Sequence, residues 1–133
     1  TLEAQLNSDL ANSSLQDEVT KLDTEIKEKT EVAKKYLDKG MYQFPNEWRS
    51  YAVMSDIFNA SQNHDAALEY VDRGLAKAKT AEKGYLVRQK LSIYDMANKV
   101  DEALAYIDSR INEPYADKKL LLQFQARFRA KKK

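Results

Sequence analysis

The stretch DAALEYVDRGLAKA, residues 65–78, returns as DEALAYIDSRINEP at residues 101–114 and more loosely as EVAKKYLDKGMYQFPNEW at residues 31–48. Each copy carries a small residue followed four positions later by an apolar one: Ala33 and Leu37, Ala67 and Val71, Ala103 and Ile107. That spacing places both side chains on one face of an α-helix. The alanines stand 34 and then 36 residues apart. A recurrence at this period reads as stacked supersecondary units. A small residue lets a neighbouring helix approach closely, and large side chains from that neighbour fill the gap.

Working outward, apolar residues keep the helical period along most of the chain. Leu15, Val19, Leu22 and Ile26 are spaced four, three and four. Tyr51, Met54 and Phe58 form a second stripe, Leu68, Val71 and Leu75 a third, and Val87, Leu91 and Tyr94 a fourth. Leu104, Ile107 and Ile111 follow, then Leu120, Phe124 and Phe128 beside Leu121. The breaks between stripes are short and hold residues suited to helix starts. Asn46, Asn63 or Asp65, Thr80 and Asp101 are the expected caps, and Pro114 is expected in the first turn of the last helix. Short links imply antiparallel neighbours.

Composition agrees with an all-α fold. The chain has 133 residues, 43% hydrophobic and 32% charged, with three Gly and two Pro. That is one domain's worth of chain with too few turn residues for an all-β fold. It has no cysteine, which excludes disulfides and thiolate metal sites. No apolar run approaches the roughly 18–20 residues of a membrane span, so a soluble chain is expected. Asn12-Ser13-Ser14 and Asn59-Ala60-Ser61 match the glycosylation acceptor pattern, a short motif that chance supplies often. The chain starts with Thr, so a removed signal, an anchor or a neighbouring domain is expected before it, as for an exported protein or a fragment.

Net charge is +1 but unevenly spread. Residues 1–30 hold seven acids and three bases, whereas five of the last seven residues are basic. Cations at a helix end complement its dipole and suit a solvated tail. The same cluster would also meet an acidic partner, nucleic acid or a membrane surface.

The repeated segments resemble the second helix of the tetratricopeptide repeat, with its period near 34 and its Ala-x3-Phe-like pairs. Gly40 and Gly74 fall where that family prefers a small residue, and Pro45 where it often ends a repeat. Tyr51, Met54, Ser55 and Phe58 occupy the positions of the family's first-helix Trp, Leu, Gly and Tyr. Val87, Leu91 and Tyr94 hold three of those four in the next repeat. Lys90 and Arg110 depart from the pattern, and Leu15, Val19, Leu22 and Ile26 do not sit at the expected first-helix positions. The resemblance implies an all-α solenoid of antiparallel repeats over residues 30–133, with a right-handed superhelical course and a capping helix near 114–130. Residues 1–29 are either the first helix of a degenerate repeat or a separate amphipathic helix that could serve as a dimer seam.

Catalytic chemistry is poorly supplied. His64 is the lone histidine, in an expected turn, and there is no P-loop or HExxH motif. An activated nucleophile needs a base and an orienting group, which the chain hardly provides. No enzyme activity, cofactor, metal or small-molecule substrate is therefore implied. Tyr51, Phe58, Tyr94, Phe124 and Phe128 lie on core stripes, while Trp48, Tyr85 and Tyr115 are the expected exposed aromatics.

The resemblance implies instead a concave groove lined by first helices, which places Arg49, Ala52, Asp56, Asn59, Tyr85, Arg88, Ser92 and Asp95 on a partner-binding surface. The expected partner is another protein or peptide, with self-association as the alternative. Chaperone-binding members clamp a C-terminal carboxylate with Lys and Asn. Ala52 and Asp56 stand at two of those positions here, and an Asp would repel the carboxylate.

Overall fold

The computed structural model describes residues 2–132. These form six α-helices and a single 3-10 turn, with no strand among the described residues. The helices are α1 (Leu2–Gln43), α2 (Trp48–Ala60), α3 (His64–Lys77), α4 (Lys83–Met96), α5 (Val100–Arg110) and α6 (Lys118–Lys132), and the 3-10 turn is Thr80–Glu82. The all-α class expected from the few breakers is what forms. No described helix is long and apolar enough to cross a membrane. Two compact units divide the chain between Tyr36 and Leu37.

The first unit consists of α1 residues only. Helix α1 runs unbroken from Leu2 to Gln43, so no helix end falls near residue 29. Between Leu2 and Gln43 there is no Pro and one Gly, so nothing in the sequence stops the helix. Its stripe of Leu15, Val19, Leu22 and Ile26 is exposed.

The second unit holds two hairpins, α2–α3 and α4–α5, whose turns repeat bond for bond at a displacement of 36 residues. Asn63 donates its N–H to Phe58 O at 2.9 Å, and Lys99 donates to Tyr94 O at 2.9 Å. Gln62 donates to Asn59 O and Asn98 to Asp95 O, both at 3.1 Å. Gln62 and Asn98 are the two non-glycine residues with positive φ among the described residues, 64° and 54°. A left-handed residue at this place returns the chain and satisfies the last carbonyls of the preceding helix.

Each helix packs on the next from α2 to α6, and α4 also touches α2 and α6. One core joins Ala52, Ala67, Val71, Leu86 and Ile93. A second joins Val87, Leu91, Ala103, Ile107, Leu121 and Phe128. A third, of Met41, Tyr51 and Met54, takes in Leu37 at the end of α1. Full burial of side chains such as Leu86, Leu91 or Ile107 contributes about 1.5–3 kcal/mol each. Ala67 and Ala103, the repeated small residues, are fully buried, and Ser55 Oγ donates to Ala67 O at 2.7 Å. At Gly74 a Cβ would stand 3.2 Å from Tyr51 Cβ and 3.5 Å from Trp48 O, so α3 approaches α2 at the distance a hydrogen allows.

Helix starts differ in detail from the sequence reading. Asn63 caps α3 as expected, accepting from Ala66 N–H. Glu47 rather than Asn46 caps α2. Thr80 opens the 3-10 turn, where the Glu82 carboxylate reaches back to Lys79 N–H at 2.9 Å. Asp101 lies inside α5, after the cap position at Lys99. Pro114 belongs to the loop before α6, which starts at Lys118, and Asp117 Oδ1 accepts Leu120 N–H at 3.2 Å. Packing of the helix, rather than the presence of a capping side chain, sets where it starts, as the cap position at Lys99 shows.

Candidate partner-binding face

Helices α2 and α4 are not sequential, yet four contacts bridge them. Gln89 Nε2 donates to Ala52 O and to Asp56 Oδ1, each at 2.7 Å. Asn59 Nδ2 donates to Met96 Sδ at 3.0 Å. The rings of Trp48 and Tyr85 lie 5.7 Å apart, tilted by 51°. Trp48 Nε1 also donates to Glu82, whose carboxyl is held below its usual range, first by the Lys79 backbone N–H and also by this indole. Trp48 is thus half-buried rather than one of the free aromatics.

These bridges bring the eight residues expected on a groove to two adjacent helices, but not all of them face solvent. Arg49 is exposed, paired with Glu47 at 3.0 Å and lying over the Trp48 ring at 5.3 Å. Tyr85, Arg88 and Ser92 are exposed on successive turns of α4. Among the described residues no carboxylate pairs with Arg88. Asp56 is exposed but accepts from Gln89.

Of the other three positions, Ala52 is buried, which corrects its place on the surface, and Asn59 and Asp95 are partly covered. Ala52 is a core residue, because its small side chain is what lets α4 and Gln89 come close. Asn59 is half-buried, bonded to Met96 and to His64 Nδ1 at 2.6 Å. Asp95 has a side chain only 14% exposed and is taken by α6, through Arg127 at 2.7 Å and through Lys131. Lys132 similarly reaches Asp101 at 2.8 Å. The basic end of the chain is exposed, as expected, and three of its cations also reach acids of the repeats. Tandem positions in a repeat share a direction, but the direction alone does not say what the next helix brings to them.

Two residues of this face escaped the sequence reading. Val53 is 47% exposed and lies four positions after Arg49, and Met96 is 56% exposed and lies four after Ser92. The signal was their spacing from residues already chosen. With Tyr85, 58% exposed, they make the apolar part of the face. A separate cleft of about 800 Å³ opens where the start of α4 meets the loop before α6, lined among others by Lys83, Val87, Arg110, Tyr115 and Leu120. None of the eight expected residues lines it. Comparison with protein-family models, with curated proteins and with solved structures finds no match to this chain.

Proposed function

We propose that the second unit is a tetratricopeptide-like interaction module that holds an extended or helical segment of another protein across the face of α2 and α4. The hairpin turns repeated at 36 residues and the contacts between alternate helices, α2 with α4 and α4 with α6, support the repeat reading. The observation that carries the binding reading is the composition of that face. Val53, Tyr85 and Met96 leave apolar surface open on the same two helices that carry Arg49 and Arg88, which suits a partner with apolar anchors and acidic neighbours. The buried Ala52 and the acidic Asp56 disfavour a clamp for a C-terminal carboxylate. The engagement of Arg127, Lys131 and Lys132 with Asp95 and Asp101 favours this face over the basic tail.

The test uses peptides panned from a random display library on the full chain, with affinities measured by fluorescence anisotropy. Arg49→Glu with Arg88→Glu should weaken the selected peptides at least tenfold while the thermal midpoint stays put, since both side chains are solvent-facing. Truncation after Phe128 leaves Arg127 on Asp95 and should leave binding intact. Undiminished binding by the double reversal, or binding lost only on truncation, overturns the assignment.

A further inference from the structure

On α1 the stripe of Leu15, Val19, Leu22 and Ile26 is more than half exposed at every member, far from the single exposed apolar residues common on surfaces. In a heptad frame with Val19 and Ile26 at a, Leu15 and Leu22 fall at d, and Asn12 falls at the preceding a. β-Branched a residues with Leu at d favour a two-stranded parallel coiled coil, and one polar Asn at a fixes its register.

The flanking e and g positions decide the partner. They are Gln16, Glu18, Asp23 and Glu25, three acids and no base, and none of these acids forms an ion pair among the described residues. Lys21 and Lys27 sit at c and b, away from those flanks, and Lys29 at the next d ends the apolar seam. A second copy of this chain in parallel would set Glu18 against the other Asp23, twice by symmetry. An antiparallel copy would set acid against acid at the g positions. Like charges across a seam are a device against pairing, and opposite charges select a partner.

We propose that α1 is one strand of a heterotypic coiled coil, its partner an amphipathic helix with Leu, Ile or Val along the seam and Lys or Arg on both flanks. This does not rest on the α2–α4 face.

The experiment presents the full chain with two synthetic three-heptad peptides that share Ile and one Asn at a and Leu at d. One carries Lys at every e and g, the other Glu. Anisotropy at low salt should show the Lys peptide binding at least tenfold more tightly, with the difference shrinking in about 0.5 M salt as flanking charges are screened. Leu15→Ala with Leu22→Ala should weaken the Lys peptide at least tenfold, and Glu18→Lys with Glu25→Lys should move the preference to the Glu peptide. Arg88→Glu should change nothing, which separates this surface from the other. The proposal is overturned if neither peptide binds, if both bind alike, or if the Lys preference survives loss of the two leucines. It is equally overturned if sedimentation at pH 7 shows the chain alone as a dimer that Leu15→Ala with Leu22→Ala dissolves, because a second copy is then the occupant.

Discussion

Lys99 Nζ donates to Asp65 Oδ1 at 2.6 Å, joining residues 34 positions apart at the starts of the second helices of consecutive hairpins. The pairing holds the Asp65 carboxyl below its usual range and raises the Lys99 ammonium. Trp48 and Glu82 are also 34 apart, and Asp95 and Lys131 are 36 apart. One repeat length thus recurs as a physical bond between neighbours. Exposed pairs of this kind are weak individually, so their value lies in fixing which turn meets which.

The Asp95 network is the exception to that weakness, since one shielded carboxylate serves two cations of α6. Asp95→Ala should cost about 1 kcal/mol in chemical denaturation, partly masked by salt, whereas Asp101→Ala, whose carboxylate is largely solvated, should cost less than about 0.5 kcal/mol. Equal midpoints for the two variants would show that Asp95 does not hold α6.

Ala67 is fully buried between α2 and α3. Ala67→Leu should overpack this contact and lower stability by about 1–3 kcal/mol. An unchanged urea midpoint would remove Ala67 from the helix contact.

The two glycines at matching repeat positions should respond oppositely to alanine. At Gly40 the nearest atom to a new Cβ is Ser50 Oγ at 3.6 Å, an ordinary contact, so Gly40→Ala should stabilise by about 0.5–1 kcal/mol through helix propensity. At Gly74 the same gain is offset by crowding against Tyr51 Cβ at 3.2 Å, so Gly74→Ala should be neutral or destabilising. Equal thermal shifts would mean that the α2–α3 approach is not limited by this residue.

Left-handed backbone is costly for a side chain with a Cβ, less so for Asn. Gln62→Gly should therefore raise stability by up to about 1 kcal/mol and Asn98→Gly by less. The reverse order in thermal midpoint would contradict the turn geometry.

Burial pushes the Tyr106 phenol up to about 12, and its hydroxyl has no hydrogen-bond partner among the described residues. The unfolded tyrosine titrates near 10. Its contribution to stability is therefore complete below about pH 10 and is lost as pH rises towards 12, because only the unfolded state gives up the proton there. Tyr106→Phe should flatten that alkaline fall. It should also raise stability at pH 7 by about 1 kcal/mol, since it removes an unpaired buried polar group and keeps the ring beneath Lys90. A marked loss at pH 7 would reveal a partner for the hydroxyl.

Helix identity was readable because Ala67/Val71 and Ala103/Ile107 combine period and size, and both pairs are buried as that combination requires. Boundaries were less readable. Asn46 and Glu47 are both able to cap, and only the geometry of the turn chooses Glu47. The unbroken course of α1 was not legible in the repeat register, since Leu15, Val19, Leu22 and Ile26 fall outside its first-helix positions. On the candidate face, Arg88 and Tyr85 are exposed, as the resemblance implied. The fates of Ala52 and Asp95 were not, since they depend on Gln89 and Arg127, which arrive 37 and 32 residues later in the chain.

Helix α4 contributes Leu86 and Ile93 to one core and Val87 and Leu91 to another, so neighbouring residues on it point into different cores. This makes it the element through which cooperativity passes. Leu75 of α3 also packs against both cores, so the two elements together tie the hairpins to one another. Backbone amides in the middle of α4 should consequently be the slowest in the second unit to exchange with deuterium, opening only when the whole unit unfolds.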